Sequence, residues 1–269
     1  MRLYDLHRGR SPLIVDVPHA GTFVPDAIAL RMTAAARAVP DTDWHVEKLY
    51  AFARDANVTL MCATHSRYVV DLNRDPSGAS LYPGADNTEL CPTRTFANEP
   101  IYANDDVPDA REVDARRRTY FAPYHAALAA EIARVRALHG YAILLDGHSI
   151  LAEVPRFFAG RLPDLNLGTA DGASTDPGVA DLAAQILGAG EFTHVVNGRF
   201  KGGYVTRHYG KPAEHVHALQ LEMAQDAYMD EAPPYAWSAA RAAKLGALLE
   251  RLVVTLAEAR PRPSPERSA

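Results

Sequence analysis

The sequence predicts an α/β fold with a largely parallel, buried central sheet. Two observations lead to this prediction. Short apolar runs with strand character alternate with stretches of helical periodicity, and no internal repeat or boundary signal divides the chain. We therefore expect residues 1–259 to form a single catalytic domain and the Pro-rich, polar tail at 260–269 to be disordered.

Each element is predicted from its local pattern. Strands are predicted from apolar runs at 13–17, 58–64, 68–72, 141–146, 193–197 and 217–222. Helices are predicted from apolar residues at helical spacing over 43–56, 120–138, 179–188 and 236–259. Gly140 follows the second of these and is a typical helix stop. The stretch from 75 to 109 is dense in Pro, Gly, Asn and Asp and predicts a long loop with a lid or binding role.

Composition and charge exclude several classes of protein. The apolar share of 48% and the charged share of 23% are ordinary for a globular protein, and the net charge of −5 gives no basic surface for nucleic acid or an anionic membrane. Two cysteines, Cys62 and Cys91, form no disulfide framework and fit a reducing compartment. No run is long and apolar enough to span a membrane, and the N-terminus lacks the apolar core of a signal peptide. A cytoplasmic location is expected.

Four apolar runs end on polar residues that can do chemistry. The run at 13–17 leads to His19, 68–72 to Asn73 and Arg74, 141–146 to His148, and 217–221 to Glu222. Ligands of open α/β sheets bind outside the carboxyl ends of the strands. One such ending could be an ordinary strand end, but four together, with two histidines, predict a site.

Two histidines and a carboxylate make a three-ligand zinc site with an open position for water. Zinc lowers the pKa of that water, and a nearby glutamate can accept the proton. His19 and His148 are the candidate histidines, and the segment 40–49 offers Asp41, Asp43 and His45 for the third position. One divalent metal ion, with zinc preferred, is therefore the predicted cofactor. The residues alone leave the third ligand open.

Motifs of other catalytic classes are absent from the sequence. Ser149 is not part of a G-x-S-x-G elbow, and no phosphate-binding G-x-x-x-x-G-K-[ST] loop occurs. The glycines of 197–203 lack the spacing of a dinucleotide loop.

Several segments resemble the N-formylglutamate amidohydrolase family. They include VPHAG, DTDWHVEKLY, SRYVVDLNRDP, LLDGHSI, NGRFKGGYVTRHYGKP and HALQLEMAQDAYM, and the resemblance runs from about residue 12 to about residue 255. This family is similar in fold to zinc-dependent exopeptidases of the carboxypeptidase and aspartoacylase type. The resemblance implies a three-layer α/β/α sandwich with a mixed central sheet. It also implies hydrolysis of N-formyl-L-glutamate to formate and L-glutamate, a reaction of bacterial histidine degradation.

The resemblance also implies roles for the metal-site residues. His19 and His148 correspond to the two histidine ligands, and Glu222 corresponds to the general base. The exopeptidases usually carry an acidic ligand three residues after the first histidine, where this chain has Thr22. The acidic ligand must then come from another segment, and Asp43 is preferred over Asp41.

Substrate-binding residues follow from the same resemblance. Asn73 and Arg74 match an Asn-Arg pair that receives a substrate carboxylate, and Arg67 resembles an arginine that polarises the scissile carbonyl. Because the substrate carries two carboxylates, a second cationic anchor is expected. The candidates are Arg199, Lys201 and Arg207. Arg207 is preferred.

Two alternative functions stay open at this level. One is an amidase for another N-acyl amino acid, and the other is a catalytically silent ligand-binding protein on the same scaffold. Retention of both histidines and of the glutamate disfavours the silent protein. The expected partner is a small-molecule substrate with two carboxylates, and neither nucleic acid nor a membrane is expected. The sequence leaves the oligomeric state open.

Overall fold

One mixed sheet of seven strands organises the computed structural model, which describes residues 2–79 and 86–262. The strands are Tyr4–His7 (β1), Leu13–Val17 (β2), Thr59–Ala63 (β3), Ala142–Ile150 (β4), Leu165–Gly168 (β5), His194–Val196 (β6) and Val216–Ala224 (β7). Their order in the sheet is β1-β3-β2-β4-β7-β5-β6. The pairs β1–β3 and β5–β7 are antiparallel and the other four are parallel. The predicted mixed, largely parallel sheet is confirmed.

Helices pack on both faces of this sheet. They are Asp26–Ala29 (α1), Val46–Leu49 (α2), Ala110–Arg116 (α3), Ala122–His139 (α4), Pro177–Gly188 (α5), Tyr204–Tyr209 (α6) and Ala239–Glu258 (α7). Helix α5 begins with Pro177 in its first turn, and Asp176 accepts hydrogen bonds from the backbone N–H groups of Gly178 and Val179. Helix α4 ends at Gly140, whose φ of 80° is left-handed. No helix in the described ranges has the length and apolar character needed to cross a membrane.

Alternation along the strands separates the two faces of the sheet. In β2, β4 and β7 the odd-numbered side chains, among them Val15, Leu145 and Leu221, pack with helices α5 and α7. The even-numbered side chains at the amino-terminal halves, Ile14 and Leu144 among them, pack with helix α4. Each strand therefore belongs to two cores at once.

On the α4 face the even-numbered positions change from apolar to polar along each strand. Ile14 is followed by Asp16, and Leu144 by Asp146 and His148; the same change occurs in β7, where Ala218 is followed by Gln220 and Glu222. The strands are parallel and in register, so that Asp16 pairs with Asp146 and His148 with Glu222. This register gathers the polar side chains at the carboxyl edge of the sheet.

Two predicted elements differ from the structure. The strand predicted at 68–72 is wrong, because the backbone turns there and its N–H groups bond to Ser66 and Leu90. This run is apolar because it packs into two core clusters, with Val69 in one and Val70 in the other. The helix predicted over 43–56 is reduced to α2 and a short 3-10 turn. His45 has a left-handed φ of 64°, which a helix cannot include.

The other predicted elements are confirmed in type, with ends shifted by up to four residues. Strands β1 and β5 were not predicted, because both are short and carry polar residues within them. Part of the predicted 75–109 loop, residues 80–85, lies outside the described residues, as does most of the tail predicted to be disordered, residues 263–269. The prediction of one catalytic domain over 1–259 stays a prediction.

His125 of α4 is a structural histidine whose titration should affect stability. It is buried between the carbonyl oxygen of Leu72, 2.9 Å from Nε2, and the Tyr209 hydroxyl, 3.0 Å from Nδ1. Burial lowers the pKa of His125 to about 4. The folded state therefore resists protonation that the unfolded state accepts below about pH 6.5.

We expect this histidine to cost stability as the pH falls from about 6.5 to about 4, by about 3 kcal/mol in the free energy of unfolding. Urea unfolding of the wild type and of His125→Gln across this range measures it. The wild type should lose more stability than the variant on acidification, and the difference should level off below about pH 4. A constant difference between the two proteins would contradict this expectation.

Candidate active site

Three buried side chains from separate segments meet at the carboxyl edge of the sheet. His19 follows β2, His148 lies in β4, and Asp43 lies in the loop before α2. One ligand atom from each lies within 4.8 Å of the others. The backbone N–H of Asp43 donates to the carbonyl oxygen of His19, at 3.1 Å, which ties the loop to the end of the strand.

The distances within this triad suit a metal ion. Oδ2 of Asp43 lies 3.1 Å from Nδ1 of His148 and 3.8 Å from Nδ1 of His19. Atoms about 2.1 Å from one tetrahedral zinc ion lie about 3.4 Å apart. Nδ1 of His19 is buried and has no hydrogen-bond partner among the described residues, as expected of an atom reserved for a ligand. The residues present therefore fit a divalent cation.

A second carboxylate lies close to the Nε2 atom of each histidine. Nε2 of His19 lies 2.8 Å from Oδ1 of Asp71, and Nε2 of His148 lies 2.8 Å from Oδ1 of Asp146. A proton on Nε2 of His19 can be donated to Asp71, which leaves the Nδ1 lone pair of His19 directed at the triad, whereas Nε2 of His148 also lies 2.9 Å from the amide nitrogen of Asn73. Metal-binding histidines are typically held this way.

Electrostatics at the triad also favour a cation. Burial would raise the pKa of Asp71, but Arg67 and Arg74 hold it well below the usual value. Burial would lower the pKa of His148, yet Asp146 and Asp43 raise it well above the usual value. Asp146 and Asp43 thus stabilise positive charge at His148, whether a proton or a metal ion carries it.

The two candidate acidic ligands have different surroundings. Oδ2 of Asp43 faces both histidines and accepts from the backbone N–H of Ser149, at 3.0 Å. Asp41 instead accepts from the hydroxyl of Tyr68 at 2.6 Å and from the backbone N–H of Phe96 at 2.8 Å. Asp41 therefore joins the loop segments around the site, and the triad contains Asp43.

Glu222 lies on β7, which pairs with β4, the strand that carries His148. It is the register partner of His148, is 7% exposed, and lines the same cavity as both histidines. Burial raises the pKa of Glu222 to about 7. The side-chain amide of Gln220 donates to Glu222 at 3.1 Å and accepts from the backbone N–H of Gly203 at 2.7 Å. A carboxylate whose pKa lies near neutrality is suited to general acid–base chemistry.

Arg67 and Asn73 are buried beside the triad. Arg67 donates to Asp71 at 2.7 Å and to Asp43 at 3.5 Å, so two carboxylates fix its guanidinium at the wall of the cavity. The amide nitrogen of Asn73 lies 2.9 Å from Nε2 of His148. The Asn73 amide oxygen accepts from the backbone N–H of Val205, at 2.7 Å.

Gly203 permits the close approach of its loop to Asn73. A Cβ atom at Gly203 would lie 2.4 Å from the Asn73 amide nitrogen, so any other residue would displace the loop. This contact brings the 197–203 segment to the cavity wall.

The cavity that both histidines line is partly open to solvent and has polar and aromatic side chains in its wall, as small-molecule sites do. Arg74 and Arg199 line it together with aromatic residues that include Phe96 and Phe157. Arg74 donates from Nε to Thr88 at 3.2 Å. Among the described lining residues neither Lys201 nor Arg207 occurs. The role predicted for Arg207 stays a prediction, without support from the lining of this cavity.

Three polar residues of the site were not predicted: Asp71, Asp146 and Gln220. Asp146 and Gln220 stand two residues before His148 and Glu222 on strands, so the period of two places each on the same face as its neighbour. That signal was available in the sequence. Asp71 reaches His19 across 52 positions and lies outside any strand, so no local pattern could indicate it.

An α/β sheet that carries a His-Asp-His triad and a buried glutamate at its carboxyl edge is typical of metal-dependent hydrolases. The family model for N-formylglutamate amidohydrolase matches residues 11–229. This chain belongs to that family, and the resemblance identified in the sequence is confirmed.

Named relatives and solved structures are similar over nearly the whole chain. The N-formylglutamate deformylase of Pseudomonas putida is 43% identical, covering 95% of this chain and 96% of the relative. That of Pseudomonas aeruginosa is 46% identical, covering 93% and 94%. The crystal structure of N-formylglutamate amidohydrolase from Ralstonia eutropha JMP134 superposes with a TM-score of 0.81 at 29% identity, covering 96% and 98%. A gene product of Agrobacterium tumefaciens shares the fold, with a TM-score of 0.72 at 18% identity over 95% of both chains.

Proposed function

We propose that this chain hydrolyses N-formyl-L-glutamate to formate and L-glutamate, with one divalent metal ion, preferably Zn²⁺, as cofactor. The observation that carries the proposal is that the His19–Asp43–His148 triad and Glu222 line or adjoin one cavity that also presents arginine side chains. The deformylase names of the two Pseudomonas relatives supply the substrate.

His19, Asp43 and His148 would hold the metal. When bound, a divalent metal supplies Lewis acidity and makes water a stronger acid near neutral pH. Glu222 accepts the proton of the attacking water as the C–O bond forms at the formyl carbon. It then donates that proton to the amide nitrogen as the C–N bond breaks, which releases formate and the free amine.

Arg67 is positioned to stabilise the oxygen of the formyl group. Its guanidinium is buried and fixed by Asp71 and Asp43, so little reorganisation is needed when negative charge develops on that oxygen. Arg74 and Asn73, which both line the cavity, receive a substrate carboxylate, and the amide oxygen of Asn73 also holds the loop at 203–205 in place.

Formate release measures this function directly. The purified protein should release formate from N-formyl-L-glutamate, lose this activity with a chelator, and regain it when Zn²⁺ is restored. N-acetyl-L-glutamate carries one extra methyl group and should react roughly 10- to 200-fold more slowly. Faster hydrolysis of the acetyl compound would favour an amidase for other N-acyl amino acids, and no hydrolysis of either by the metal-loaded protein would favour a silent binding protein.

A further inference from the structure

Three arginines among the described residues line the cavity: Arg67, Arg74 and Arg199. Arg67 already forms salt bridges to Asp71 and Asp43, at 2.7 and 3.5 Å. Beside Arg67, the candidate for stabilising the formyl oxygen, the wall presents two further guanidinium groups to a substrate with two carboxylates. Guanidinium binds carboxylate through two parallel hydrogen bonds, which makes these groups suitable anchors.

Arg74 belongs to the end of the cavity near the triad. It follows Asn73, whose amide nitrogen is 2.9 Å from His148, and its Nη1 lies 4.0 Å from Oδ2 of Asp71. Asp71 in turn contacts His19. A carboxylate bound by Arg74 is therefore held close to the reacting bond.

Arg199 lies beside the aromatic residues that line the cavity. Its Nε donates to the backbone carbonyl of Phe157 at 2.9 Å, and its Cζ lies 5.4 Å from the ring centre of Phe200. Phe157 and Phe200 line the same cavity. The hydrogen bond to Phe157 helps to orient the guanidinium, and the neighbouring rings lower the local dielectric, which strengthens its attraction for an anion.

The two carboxylates of formylglutamate lie at different distances from the reacting amide. The α-carboxylate is attached to the carbon that bears the amide nitrogen, whereas the side-chain carboxylate lies beyond two further methylene groups. We propose that Arg74 binds the α-carboxylate and that Arg199 binds the side-chain carboxylate and so sets the preference for an acidic side chain. This assignment rests on the proposed function and replaces the expectation for Arg207.

The other two candidate cations, Lys201 and Arg207, have different partners. Lys201 is paired with Asp171 at 3.0 Å. Arg207 lies on α6, is exposed, and donates from Nε to the carbonyl oxygen of Gly202 at 2.8 Å. These contacts lie outside the described lining of the cavity, which makes both residues suitable comparisons for Arg199.

The test compares kcat/KM for N-formyl-L-glutamate and N-formyl-L-glutamine, which differ in the charge of the side-chain group. The wild type should prefer the glutamate compound by roughly ten- to a hundredfold, the effect of one charge-assisted pair. Arg199→Met should reduce that preference to within about threefold, with most of the loss on the glutamate compound. Arg74→Met should instead slow both substrates alike, because both carry the α-carboxylate.

Lys201→Met is the matched control, and Arg207→Met tests the competing assignment; both should keep the wild-type preference. A preference that survives in Arg199→Met, or that disappears in Arg207→Met, would overturn the proposal. So would equal losses on both substrates in Arg199→Met, which indicate a structural role. Arg199→Lys keeps the charge without the planar fork and should retain part of the preference.

A binding measurement separates failure of this assignment from failure of the proposed function. Titration calorimetry with glutarate, a dicarboxylate, and with its monoamide requires no turnover. The wild type should bind glutarate more tightly, and Arg199→Met should bind the two alike. If the wild type releases no formate, the proposed function is wrong, and the calorimetric difference still decides whether Arg199 binds a carboxylate. An equal difference in wild type and Arg199→Met would overturn the assignment even if formate is released.

Discussion

Glu222→Gln should hydrolyse N-formyl-L-glutamate about 10²- to 10⁴-fold more slowly than the wild type, while it folds and binds metal normally. Glutamine has the shape of glutamate, and its amide oxygen can still accept the hydrogen bond from Gln220. It cannot accept a proton from water, so the loss should fall on kcat. The buried position of Glu222 makes the charge change local to the cavity.

The measurement is kcat and KM for formate release at a fixed metal content, together with thermal unfolding. Glu214→Gln is a matched control, because Glu214 is an exposed residue just before the same strand. It should behave as the wild type. Turnover of Glu222→Gln close to that of the wild type, with metal bound, would mean that another group accepts the proton.

His148→Ala should bind metal at least about 100-fold more weakly, because loss of a ligand exceeds the 10- to 100-fold effect typical of the residues that support ligands. The truncation also leaves Asp43 and Asp146 facing each other without the imidazole between them. Formate release should fall with the metal. Elemental analysis of the purified variant and titration with Zn²⁺ measure both effects.

His194→Ala, in the edge strand β6, is the control for a histidine outside the site and should retain the metal. The two aspartates of the loop provide a sharper comparison. Asp43→Asn should weaken metal binding, whereas Asp41→Asn should keep the metal and lower thermal stability, because Asp41 accepts from Tyr68 and Phe96. The opposite pattern, or full metal retention by His148→Ala, would refute the triad.

Features that depend on local sequence patterns could be predicted, and those that depend on contacts between distant segments could not. Local apolar runs place Glu222 at the end of a predicted strand and His148 just beyond another, and parallel strands bring their carboxyl ends together. The largely parallel sheet and the long helices follow from the same periodicities, whereas the mixed character of the sheet is implied by the family resemblance. Asp43 could not be chosen over Asp41 by pattern, because both stand in one loop and only its path, fixed by the bond from Asp43 to His19, decides which carboxylate faces the histidines.

The choice among three basic residues is limited in the same way, because no local pattern shows which of them reaches the cavity. Arg199, Lys201 and Arg207 lie within nine positions of one another, and only the family resemblance favours Arg207 among them. The path of the chain after Lys201 decides which of them can reach the cavity. Gly202 has a φ of 114°, and helix α6 then carries Arg207 to the exposed surface. The mistaken strand at 68–72 has a related cause, because an apolar run reports burial but not whether the backbone pairs.

Neighbouring residues of the same strand serve different purposes, because one side chain packs in the core and the next faces the site. In β7, Leu221 packs against the α7 side while its neighbours Gln220 and Glu222 face the cavity. In this strand a substitution at Leu221 should mainly change the free energy of folding, whereas one at Gln220 or Glu222 should mainly change turnover or substrate choice. Selection can therefore change thermal tolerance and substrate preference through different, alternating positions of the same strand. A new acyl or side-chain specificity can arise on one face of the sheet while the other face, with its helices, is inherited intact.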